Sequence, residues 1–94
     1  MNVLKINVGR HLCVETIEIF FVDMEDFWRE AFATIVANPV LEDLSIEQQH
    51  DLVEKMKDMC IRYLSFADCF DDITVMRYFD FGSSHINVEI WKET

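Results

Sequence analysis

The period of the hydrophobic pattern changes twice along this chain, and that change restricts the folds open to it. Near both ends apolar residues tend to alternate, as a strand with one buried face requires. In the middle they recur at three- and four-residue steps, as an amphipathic helix requires. The first stretch, VLKINVGRHLCVETIEIFFV, is dense in β-branched and aromatic side chains, which suit a pleated, half-buried surface. Gly9-Arg10 offers turn chemistry within it, so strands are expected over Val3–Val8 and Leu12–Phe21. In the second of these, Ile17, Ile19 and Phe21 share a face and Glu18 points away.

Asp23 is a natural N-cap for the helix that follows, and Glu25 and Asp26 fall in its first turn, where the helix dipole favours acids. Met24, Phe27, Trp28, Ala31, Phe32, Ile35 and Val36 form the most regular helical stripe in the chain, and all seven are expected to face the core. Asn38-Pro39 ends that helix and opens a short turn through Leu44. Ser45 and Gln48 make a capping-box pair at the start of a second helix. Its buried arc is Leu52, Val53, Met56, Met59, Cys60, Tyr63, Leu64 and Ala67, and its end falls between Ser65 and Asp71. The segment ITVMRYFDFGSSHINVEIW then reads as a second hairpin. Ile73, Val75, Phe79 and Phe81 alternate on one strand, Ile86, Val88 and Ile90 on its partner, and Gly-Ser-Ser turns between them.

Residues 1–94 therefore form a single compact domain of the α+β class. Two hairpins make an antiparallel sheet, and two helices pack on one face of it in the order ββααββ. A chain of 94 residues has no room for a second core. With 51% hydrophobic residues and eight Phe it has enough apolar material to fold rather than remain disordered. Two Gly and one Pro leave no flexible linker. The opening MNVLKINVGR has no apolar core of a signal peptide, and no run approaches the ~20 apolar residues of a membrane span. Three cysteines without a CxxC pair, Cys13, Cys60 and Cys69, fit reduced, buried thiols in a cytoplasmic setting.

Charge sets a second limit. Eighteen Asp and Glu against eight Lys and Arg give a formal charge of −10, which repels nucleic acid and anionic membranes and draws the protein towards basic surfaces. Solubility alone also accounts for such a balance. Chemistry at a catalytic centre has little support. His11, His50 and His85 lack a recognisable nucleophile motif, and two glycines cannot hide a phosphate-cradling loop. His11 and Cys13, two apart on a strand, give only one short-spaced ligand pair, whereas zinc sites are usually built from two. The DCFDD run, Asp68–Asp72, lacks the glycine and ligand spacing of a calcium loop and reads as a turn. No cofactor, no metal and no enzymatic activity are expected.

One feature of the second helix remains. At 100° per residue, Glu47, Asp51, Glu54 and Asp58 fall within an arc of about 60°. Like charges at this spacing repel by a few tenths of a kcal/mol per pair, so stability does not select them. Their axial steps of about 6, 4.5 and 6 Å are comparable to the separation of successive phosphates along a nucleic-acid strand. Asp51 with Lys55, Glu54 with Lys57 and Asp58 with Arg62 are helical neighbours able to pair, although these bases lie beside the arc and not within it. Ile61 projects near the same arc, opposite the buried one. The expected interaction surface is Glu47, Asp51, Glu54, Asp58 and Ile61.

In charge and size, though in no sequence motif, this profile parallels compact acidic inhibitors of nucleases, the viral anti-restriction and anti-CRISPR proteins. The expectation is a nucleic-acid mimic that occupies the basic surface of a nucleic-acid-handling protein in the cytoplasm (the host cell's, if the source is viral). It would not bind nucleic acid or membrane directly. The competing expectation is an oligomerising adaptor or structural domain, homodimeric for instance. Its contacts would lie at a sheet edge or near Tyr78 and Trp91, and its acidity would serve solubility alone.

Overall fold

A computed structural model describes residues 1–10, 13–67, 69–70, 72–82 and 84–93. The elements run β1 (Asn2–Arg10), β2 (Cys13–Phe21), α1 (Met24–Ala37), a 3-10 turn (Pro39–Leu41), α2 (Ile46–Ala67), β3 (Val75–Asp80) and β4 (His85–Lys92). The fold is α+β, with both helices falling between the two hairpins in sequence. The four strands form one antiparallel sheet in the order β2-β1-β4-β3, so the first and last strands of the chain are neighbours at its centre.

The first hairpin reverses later than the sequence suggests. Gly9 and Arg10 do not make its turn; they continue β1 and pair with Val14 and Cys13. The strand ladder is satisfied through both residues, and Gly9 also pairs with His85 on the other side. His11 and Leu12 lie outside the described residues, and so does the first position expected for β2. In the second hairpin the strand is shorter than the alternation implies: Ile73 and Phe81 pack partly buried against the core but flank β3. Gly82 takes a positive φ of 82° there, a conformation open to glycine at little steric cost. The Asp80 carboxylate accepts its N–H at 2.8 Å. Ser83, the middle of the expected Gly-Ser-Ser turn, is outside the described residues.

Both helices start at the caps expected of them. The Asp26 N–H donates to the Asp23 side chain at 2.9 Å, and the Val22 N–H donates back to the Asp26 carboxylate at 3.0 Å. At α2 the Gln48 N–H donates to Ser45 Oγ at 3.1 Å and the Ser45 N–H to Gln48 Oε1 at 2.9 Å. This reciprocal pairing satisfies amide groups that a helix start leaves open. Asn38 is extended at φ −89° and ψ 122°, as a residue before proline must usually be.

Cross-strand pairing brings Leu4, Ile6 and Val8 of β1 into line with Ile19 and Ile17 of β2 and with Ile90, Val88 and Ile86 of β4. All of them are buried in one cluster with Phe27, Ala31 and Ile35 of α1 and Leu52, Val53, Met56, Met59, Cys60 and Tyr63 of α2. The helices thus cover a single face of the sheet. Tyr63 also donates its hydroxyl to Asn2 Oδ1 at 3.2 Å, tying α2 to the start of β1. Leu64 and Ala67 complete the expected arc of α2, partly buried against the same cluster.

The stripe of α1 is only partly covered. Phe27, Ala31 and Ile35 are fully buried and Met24 and Trp28 are half-buried, but Phe32 is 41% and Val36 54% exposed. The seven residues span about half the helix circumference, more than the sheet and α2 together can cover. Phe32 falls at the outer lip of the seam with α2, where its ring meets His50 edge-on at 5.8 Å. The cysteines divide similarly: Cys60 is buried, whereas Cys13 and Cys69 are exposed, against the expectation that all three pack inside. Among the described residues, no helix is long and apolar enough to cross a membrane.

Candidate partner-binding surface on α2

Because α2 buries the arc from Leu52 to Tyr63, its opposite arc must face outward. Glu47, Asp51, Glu54 and Asp58 are all exposed, and Ile61 continues their line at 48% exposure. The structure therefore brings the five expected residues together on one solvent-facing strip, roughly 21 Å long at 1.5 Å per residue.

What decides the electrostatics of the strip is where its basic neighbours go. Lys55 reaches Asp51 at 2.8 Å, and its ammonium also lies 5.9 Å from the Phe79 ring of β3. Lys57 turns the other way and sits 5.1 Å over the Trp28 ring of α1, within range of a cation–π attraction. The pair expected between Glu54 and Lys57 is consequently not made, and neither is that between Asp58 and Arg62. Among the described residues Glu47, Glu54 and Asp58 have no ion-pair partner within 4.0 Å. Lys57 is drawn to the side of the helix by the Trp28 ring, Lys55 neutralises Asp51, and Glu47, Glu54 and Asp58 remain the acidic groups of the strip.

The strip ends in a shallow depression of mixed polarity that the sequence pattern did not reveal. Asp58, Ile61, Arg62, Ser65 and Phe66 line it, and Phe66 is 44% exposed. Phe66 lies about 100° around the helix from Ser65, so it stands outside the narrow arc that singled out the carboxylates. The run Asp68–Asp72 follows closely. Asp68 and Asp71 are outside the described residues, while Cys69, Phe70 and Asp72 are exposed. The imagined metal pair of His11 and Cys13 likewise falls partly outside them, Cys13 being exposed.

Charge is unevenly divided between the layers. Within the four strands the acids Glu15, Glu18, Asp80 and Glu89 are matched in number by the bases Lys5, Arg10, Arg77 and Lys92. The formal charge of −10 therefore arises from the helices, the turns and the C-terminal residues. A field of this kind is strongest on the helical side and weakest over the sheet. Comparison of the chain with known protein families, with curated proteins and with solved structures gives no match in any of the three.

Proposed function

We infer that this protein is a binding protein, not an enzyme, and that α2 is its recognition element. The acidic strip docks on a basic, nucleic-acid-binding surface of a target protein, and Ile61 and Phe66 supply an apolar contact at one end. The observation that carries this reading is the position of Lys57 over Trp28 in place of a pair with Glu54, while Lys55 neutralises Asp51 alone. Among the described residues Glu47, Glu54 and Asp58 are exposed and have no ion-pair partner. A strip evolved only for solubility has no need of that arrangement, since interspersed pairs serve as well. Unpaired carboxylates spaced along a rigid helix instead complement rows of Lys or Arg that ordinarily hold phosphates. Apolar side chains beside charge suit the core of an interface. In this reading the protein acts as a nucleic-acid mimic and inhibits by occupancy, in the manner of anti-restriction or anti-CRISPR proteins.

The competing reading, an oligomerising structural domain whose acidity serves solubility alone, rests on a different surface: a sheet edge or the aromatic residues near Tyr78 and Trp91. The test separates the two. Immobilised protein is incubated with extract of the cells that express it, and captured proteins are compared with those held by the Asp51→Lys, Glu54→Lys double variant. Mimicry predicts that the captured set is rich in nucleic-acid-binding proteins. It also predicts release by added duplex DNA or RNA and by moderate salt, and loss of capture by the double variant. Equal capture by both forms, insensitive to nucleic acid, would refute it.

A further inference from the structure

The face of the sheet opposite the helices is organised in cross-strand rows. Val3 lies between Phe20 and Trp91; Lys5 lies between Glu18 and Glu89, with Met76 beyond; Asn7 pairs with Thr16 and Asn87, with Tyr78 beyond; Gly9 pairs with Val14 and His85, with Asp80 beyond. No helix covers this face, yet Val3 is only 3% exposed and stands outside the main core cluster. Its row forms a small apolar centre of its own, flanked by two aromatic side chains. Phe20, Met76 and Tyr78 are 43%, 62% and 60% exposed, which makes this an extended apolar surface broken by a few polar groups.

We propose that this face is the interface of a homodimer, in which two copies pack sheet against sheet about a two-fold axis parallel to the strands and between β1 and β4. Three features favour a second copy over another partner. The open face carries one base, Lys5, and three acids, Glu18, Glu89 and Asp80, so only two of the ten net negative charges of each chain lie on it and the acidic helices lie outermost. The rows are also self-complementary under that axis, which sets β1 of one copy over β4 of the other. Lys5 then faces Glu89 of the second copy, Val3 faces its Trp91, and Gly9, without a side chain, faces its His85. Each contact occurs twice, as an isologous interface requires. Aligned sheets cross at about 30° because of their twist, and the central strands stay most nearly superposed.

The third feature is that Lys5 has no ion pair within its own chain among the described residues, despite two glutamates directly across from it. The Glu89 carboxylate accepts instead from Asn87 Nδ2 at 3.1 Å. Four strands at about 4.8 Å spacing and some 20 Å of their length give a flat footprint near 400 Å² per copy. With side-chain relief the total comes close to the ~1,000 Å² at which specific interfaces begin, the size of a weak, non-obligate dimer. The α2 strips remain free on its two outer surfaces, and the proposal is therefore independent of what they bind.

Sedimentation of the full chain from about 1 µM to about 500 µM, a span around micromolar dissociation, should show the mass rising from 11.2 kDa to twice that value. The variants Lys5→Glu and Glu89→Lys should each dimerise at least about tenfold more weakly, as like charges then oppose across the axis. Mixed in equal amounts they should recover a dimer of wild-type affinity, because each supplies the charges the other lacks. Recovery on mixing cannot come from contacts within one chain. An independent readout on the unaltered protein is the methionine methyl NMR spectrum. On dilution the Met76 signal should shift, while those of buried Met56 and Met59 should not. A monomer at every concentration, with an invariant Met76 signal, overturns the proposal. So does a dimer indifferent to both charge reversals, which would place the contact elsewhere, such as the free edge of β2.

Discussion

The placement of α1 can be tested by truncating two phenylalanines of the same stripe. Phe27 is fully buried and packs edge-on against Phe21, with ring centroids 5.5 Å apart. Phe32, five residues later, is 41% exposed and touches His50. Removing a buried Phe side chain forfeits its transfer free energy and leaves a cavity, so Phe27→Ala should cost about 3–5 kcal/mol. The edge-on contact with Phe21 adds to the upper part of that range. Phe32→Ala opens no cavity. With roughly three-fifths of its surface buried, out of about 1.5–3 kcal/mol for full burial, it loses about 1–2 kcal/mol. The better helix propensity of alanine returns about half a kcal/mol of that.

Urea unfolding followed by circular dichroism measures both. A domain of this size has total stability of about 5–14 kcal/mol, so Phe27→Ala should lower the midpoint drastically or abolish the transition. If it does not fold, Phe27→Leu gives a smaller loss of the same origin. Phe32→Ala should unfold cooperatively close to wild type. Equal losses at the two positions, or a larger one at Phe32, would show that α1 is rotated about its axis from the orientation described.

Burial pushes the Cys60 thiol far above its ordinary value of 9.0, so a thiol reagent should label Cys13 and Cys69 in the native protein and reach Cys60 only after unfolding. The folded state holds this proton more tightly than the unfolded state, and stability should be unaffected below the ordinary value. Above about pH 9 it should fall by up to about 1.4 kcal/mol per pH unit, a slope that Cys60→Ala would lessen. Ser45→Ala removes the acceptor of the Gln48 N–H and should cost about 1 kcal/mol in the same urea assay; no loss would mean that the capping box contributes nothing to α2.

Much of this fold is legible in the chain because its determinants are local. Asp23 and Ser45 act on amides three residues away, Pro39 restricts the residue before it, and the α2 stripes follow from the helical repeat alone. The strand faces come from alternation, which needs no knowledge of the partner strand. This is why the five residues expected on the α2 surface do lie together. It is also why Gly9-Arg10 reads as a turn: a glycine beside a polar residue suits one locally, but the ladder with β2 continues through both residues and that with β4 reaches Gly9.

What the tertiary structure alone decided concerns distances along the chain that no periodicity spans. The pairing of β1 with β4 joins residues more than seventy positions apart, and it creates the open rows in which Lys5 meets Glu18 and Glu89. The width of the apolar arc on α1 was readable, but not how much of it its neighbours could cover, so Phe32 and Val36 remained outside. Lys55 and Lys57 had carboxylates one turn away in sequence. Only the assembled fold offered Lys57 the Trp28 ring and placed the Phe79 ring beside Lys55. An exposed ion pair contributes little, so a contact with an aromatic surface can redirect a long, flexible side chain. Local sequence fixes which face a residue occupies; the packing of distant elements fixes what that face meets.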